Sequence, residues 1–192
     1  MVTRPRSRAH PEFACCGLNC ALCPMRHISE ERHCTGCGGE GRPSCRVLRC
    51  AKEHGGVEFC FQCPEFPCEH LRETACYDSF LPHRNVLRDL EQARDAGLEA
   101  YLAQLGEREK ILRSLLDGYN DGRKKTLFCT AASLLSLAGL GEAWQQIEAK
   151  GPSFSPGKER AALAAGILQQ SAAAEGISLK LRRKPKEGKD KA

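Results

Sequence analysis

Twelve of the chain's 13 cysteines fall between Cys15 and Cys76, and the way they are spaced limits the chemistry they can perform. Cys20/Cys23, Cys34/Cys37 and Cys60/Cys63 are C-x2-C pairs, a spacing that lets two thiolates converge on one ion with Zn–S bonds of about 2.3 Å. Gly36, Gly38, Gly39 and Gly41 surround the middle pair and permit the tight turns a metal knuckle requires. Cys45, Cys50 and Cys68 follow at short intervals, and Cys16 precedes Cys20. The ten thiols Cys16, Cys20, Cys23, Cys34, Cys37, Cys45, Cys50, Cys60, Cys63 and Cys68 are therefore the candidate metal ligands.

Ten thiols suggest about two tetrahedral sites. A sequential division puts Cys16, Cys20, Cys23, Cys34 and Cys37 in one group, and Cys45, Cys50, Cys60, Cys63 and Cys68 in the other. Each group then holds one thiol more than an ion takes, and an interleaved division fits the spacing equally well. Cys15 and Cys76 read as packing residues. His27, His33, His54 and His70 read as solvated or supporting residues, because thiols are already in excess.

Other cysteine chemistries fit less well. Disulfides need an oxidising compartment, and no apolar signal segment follows the basic start "MVTRPRSRAH". A thioredoxin-like pair would open a helix within a strand–helix–strand unit, whereas these pairs sit in turn-rich segments. Cys16, Cys20 and Cys23 match the C-x3-C-x2-C spacing of radical enzymes that hold a [4Fe–4S] cluster. Those enzymes build on partial barrels, full versions of which take about 250 residues, and no alternation of buried strands and helices follows here.

Several elements must position the thiols. Residues 1–14 read as a disordered tail and 15–76 as the cysteine-rich module. A helical region spans 80–176, and 177–192 form a short strand or extended segment with a basic tail. In the helical region Val86, Leu87 and Leu90 start one apolar stripe, which Gly97 interrupts. Ile111, Leu112, Leu115 and Leu116 form a second stripe, ended by "DGYNDG". Residues 127–140 are apolar on nearly all sides and should be the most buried. Arg123, Lys124 and Lys125 stand before that helix, where an anion could offset their conflict with the helix dipole; a solvated turn is the plainer reading. The expected fold class is a small irregular metal-stabilised module followed by an all-α region. Thiolate cages would stand in for a core too small to hold by itself.

The chain has 192 residues and a net charge of +5. Seven basic residues lie in 180–192, and Arg4, Arg6 and Arg8 lie at the start, which leaves the stretch between slightly acidic. Basicity in tails gives nucleic acid only a weak claim as partner. No apolar run approaches the roughly 20 residues of a membrane span, so the expectation is a cytoplasmic protein with no membrane contact.

The segments "CGLNCALCP", "CTGC", "SCRVLRCAKEHGGVEFCFQCPEFPCEHL" and "DGRKKTLFC" together resemble a cysteine-rich family called domain of unknown function 3795, over residues 16 to about 130. That resemblance implies a small metal-binding module, zinc being the ion generally supposed, and no established activity. The functional expectation is a non-catalytic zinc module, with about two ions, that binds a protein partner. The alternative is an iron–sulfur protein with a [4Fe–4S] cluster and an electron-transfer or redox-accessory role.

Overall fold

The computed structural model describes residues 8–29, 31–39 and 45–184. Arg4 and Arg6, Gly41 and the basic residues from position 185 onward lie outside the described residues. Among those described, every regular element is helical.

Seven α-helices follow in order: α1 Arg46–Glu53, α2 Glu69–Thr74, α3 Val86–Asp95, α4 Leu98–Tyr119, α5 Lys125–Leu134, α6 Leu137–Lys150 and α7 Lys158–Ala174. Gly97, at φ 93°, separates α3 from α4, a conformation that costs glycine no Cβ clash. The second predicted stripe is the C-terminal part of α4, whose buried face is Tyr101, Leu105, Leu112 and Leu115. The apolar run 127–140 is two helices, because Leu135 is extended and Ser136 caps α6, its hydroxyl accepting from Gly139 N–H at 2.9 Å. The Glu175 carboxylate, just beyond α7, accepts from Ser136 N–H and its hydroxyl, both at 2.8 Å, placing negative charge at the positive end of α6.

Helix α4 forms the centre of the bundle and touches α3, α5, α6 and α7. Ala161, Ala164, Ala165 and Ala172 bury the small side of α7, which lets α5 and α6 pack close. At the far end of α5 the Arg108 guanidinium donates to the carbonyls of Ala132 and Leu135 at 2.8 and 2.7 Å, a cation at the negative end of the helix. No helix among the described residues is long and apolar enough to cross a membrane.

The cysteine-rich third departs from expectation in having a core. Phe13, Leu22, Phe59 and Leu71 are fully buried, in the same hydrophobic cluster as Leu90, Leu112, Phe128 and Leu168 of the helices. The Phe13 ring lies 4.7 Å from Tyr101 and 5.2 Å from Phe59, centre to centre. Burying each such ring is worth roughly 1.5–3 kcal/mol. Gly17, at φ 85°, lets this region press onto α3: a Cβ there would stand 2.5 Å from the Val86 carbonyl oxygen. The front third therefore shares the apolar packing of the helices.

The two ends of the chain also depart from expectation. The predicted tail 1–14 is folded from Arg8 onward, since Arg8 donates to the carbonyls of Phe13 and Glu58 at 3.0 and 2.8 Å. It also pairs with the Glu58 carboxylate at 3.2 Å and lies over the Phe59 ring. Of the two forms expected after residue 176, the described part takes the extended one. Ile177 and Leu179 pack on the core, and Arg182 exchanges bonds with Asp78: Asp78 N–H donates to its carbonyl at 2.8 Å, and its own N–H donates to the Asp78 carboxylate at 2.7 Å.

Candidate metal centre

Two C-x-x-C-P segments fold into the same turn. In Asn19–Cys23 the N–H of Leu22 donates to Asn19 and that of Cys23 to Cys20, at 2.9 and 3.1 Å. In Phe59–Cys63 the N–H of Gln62 donates to Phe59 and that of Cys63 to Cys60, at 3.0 and 3.1 Å. Each is a single 3-10 turn, Cys20–Leu22 and Cys60–Gln62. The second cysteine of each pair then leaves the helical region, at φ −75°, ψ 131° for Cys23 and φ −76°, ψ 136° for Cys63. Pro24 and Pro64 explain the stop, because a residue before proline is pushed out of the α region. With three residues per turn, positions i and i+3 lie on one side, so each turn can present two thiols together.

The remaining thiols gather around these turns, and none is joined in a disulfide. Burial pushes the Cys20 thiol up, and Cys37, Cys16, Cys23 and Cys34 add to the shift because a second negative charge beside them is unfavourable. Cys16 is pushed up to about 12 by burial, with Cys37, Cys15 and Cys45 adding to it. Cys45 thus belongs with the first turn, where the sequential division did not place it. Around the second turn, burial raises Cys50, and Cys68 and Cys63 reinforce that; Cys60 also has Cys68 as a neighbour. Backbone donors already face some of these sulfurs: Gly36 N–H to Cys34 and Leu48 N–H to Cys45, both at 3.4 Å.

Two thiols outside the candidate ligands join this face. Cys15 lies 3.9 Å from Cys60, sulfur to sulfur. A hydrogen bond between them lowers Cys15 and raises Cys60. Cys129, fully buried on α5, is pushed up to about 12 by burial and by nearby Cys23. Nothing local marks Cys129, since a buried cysteine in a helix reads as a small apolar residue. Cys76, expected to pack, is exposed, its S–H directed to the Arg72 carbonyl.

Among the described residues, no three His, Cys, Asp or Glu side chains converge closely enough to form a ready-made ion cage. The donor chemistry suits a thiophilic ion, but the thiols are gathered only loosely. His54 stands beside one neighbourhood, its Nδ1 2.9 Å from the Cys50 carbonyl and 3.6 Å from the Cys50 sulfur. His27 is turned to the Ala21 carbonyl at 2.7 Å, and burial lowers its pKa. His27 and His33 line a cleft of about 570 Å³ with Arg26 and Arg113. Of the basic residues expected before α5, Lys125 is the first residue of that helix and donates to the His27 carbonyl at 2.7 Å.

A buried polar network fastens the first turn to the helices. Asn19 donates to the Asp89 carboxylate at 3.0 Å and accepts from the Tyr101 hydroxyl at 2.9 Å. Burial raises the Asp89 pKa, an effect that Arg88 at 3.1 Å opposes. Asn19, which carried no signal in the sequence, is therefore the residue that orients Cys20 against α3 and α4.

Residues 12–73 match the model of the family described as Protein of unknown function (DUF3795). The matched stretch, under half of the chain, is similar to that family, and it holds both turns and all ten candidate ligands. No curated protein and no solved structure matches the chain.

Proposed function

We propose that the thiol face binds zinc, about two ions per chain, and serves as a non-catalytic interaction module. The observation that carries this reading is the mutual crowding of thiols around two identical C-x-x-C-P turns. Cys16, Cys20 and Cys50 resist ionisation chiefly because they are removed from water, with neighbouring thiols adding to it, and a bound dication would offset both effects. The neighbourhoods favour Cys20, Cys23, Cys34 and Cys37 for one ion and Cys50, Cys60, Cys63 and Cys68 for the other. Cys16 and Cys45 are then surplus. An all-thiolate set leaves no open position of the kind a catalytic zinc keeps, which is why the reading is non-catalytic. Binding would have to draw the thiols together, and it would release protons, so affinity should rise with pH.

Elemental analysis of aerobically purified protein tests this directly. The expected result is a colourless protein with about two zinc ions per chain, falling to about one in Cys63→Ser. A brown protein absorbing near about 400 nm, with iron and acid-labile sulfide, would instead support the [4Fe–4S] reading, to which the surplus thiols around Cys16 would then belong.

A further inference from the structure

Two of the four exposed large hydrophobic side chains among the described residues stand three positions apart in one loop, Tyr77 at 44% and Phe80 at 58% exposure. The extended segment 178–184 is bound to that same loop. Arg183 donates to the Ser79 carbonyl at 2.9 Å, and Arg182 to the Ala75 carbonyl at 2.7 Å and to Asp78 at 3.3 Å. From the other side Arg84 donates to the carbonyls of Ser178 and Lys180 at 3.0 and 2.7 Å, and to Asp78 at 3.1 Å. Part of the basic tail is thus a built surface, laid beside two exposed rings that lie about a hundred positions earlier.

We propose that this corner binds single-stranded nucleic acid, with Tyr77 and Phe80 stacking on bases and the basic segment contacting phosphates. Residues 72–84 and 178–184 contain Arg72, Arg84, Lys180, Arg182, Arg183 and Lys184 against only Glu73 and Asp78, so they carry most of the chain's net +5. A carbonyl holds the Arg183 guanidinium in place without neutralising it, and Lys180 and Arg183 are exposed. Exposed rings beside cations suit a strand whose bases are unstacked; a duplex offers no base faces to them. Asp78 cancels only one charge, and its side chain is wholly buried beneath Arg84 and Arg182.

The test uses the full chain and a fluorescent single strand of about 20 nucleotides, read by anisotropy at about 50 mM salt and above. A duplex of the same length and phosphatidylserine vesicles are run in parallel. Binding should weaken with salt at a log–log slope near −0.7 per phosphate contacted, and Lys180→Glu or Arg183→Glu should make that slope shallower. Phe80→Ala and Tyr77→Ala should each weaken binding by about fivefold or more while leaving the circular dichroism unchanged. Absence of binding at the lowest salt overturns the proposal. So does equal affinity for duplex, indifference to both aromatic substitutions, or binding to vesicles alone.

Discussion

Asn19 and Gln62 are both amides at a C-x-x-C-P turn, yet they hold their turns by different means. Gln62 accepts from the N–H groups of Glu58 and Phe59 at 2.9 and 3.0 Å, so the second turn is closed by its own neighbours. Asn19 reaches Asp89 and Tyr101, on helices 70 and 82 positions away, so the first turn is held by the bundle. The same backbone shape is thus reached by a local and a long-range route. The difference shows where a change at the thiol face should be felt by the rest of the protein.

Breaking the core beneath both turns should have the largest effect. Phe59→Ala empties a fully buried position and should cost about 3–5 kcal/mol. Because Phe59 shares its cluster with the helices, urea unfolding followed at 222 nm should stay a single transition at a lower midpoint. A separate early step confined to the cysteine-rich third would show that the two regions fold apart.

The amides themselves sharpen the contrast. Asn19→Ala leaves the buried Tyr101 hydroxyl without its acceptor and the Asp89 carboxylate with Arg88 alone, and should cost about 1–3 kcal/mol. Gln62→Ala frees the Glu58 N–H at an exposed contact and the Phe59 N–H at a half-buried one, and should cost about 0.5–1.5 kcal/mol. The same urea titration measures both, and equal losses would mean that the Asn19 network contributes no more than the local closure.

The smallest effect expected is one of pH, at the clasp between the 75–84 loop and the C-terminal segment. Burial alone would raise Asp78, but donation from Arg182, His83 and Arg84 outweighs it and holds the carboxyl below its usual 3.8. A depressed value means that the ionised form favours the folded state. That contribution is present above the unfolded value and is lost as pH falls through the folded one. Asp78→Asn should therefore lower the urea midpoint at pH 7, with the gap to the parent protein closing below about pH 4. A gap that persists into acid would assign the loss to geometry and not to charge.

Much of the secondary structure could be read along the chain. Pro24 and Pro64 end the two turns through the residue just before them, and Gly97 marks the break between α3 and α4. The stripe at Leu112, Leu115 and Leu116 is helical because burying one face of a helix requires that period. The break inside residues 127–140 was missed because uniform apolarity hides a boundary; only the Ser136 hydroxyl and the distant Glu175 carboxylate mark it. The ten candidate thiols were legible from spacing alone, but their neighbours were not.

The sequence by itself therefore determined the turns, the helices and the inventory of sulfur, because dihedral limits and apolar period act over a few residues. Tertiary structure alone decided that Cys45 comes near Cys16 and Cys37, that Cys129 comes near Cys23, and that Phe13 and Phe59 belong to the core of the bundle. It also bound a basic extended segment to the loop that carries two exposed rings. Such pairings depend on which distant surfaces share burial and satisfy one another's polar groups, a choice that short-range spacing does not encode.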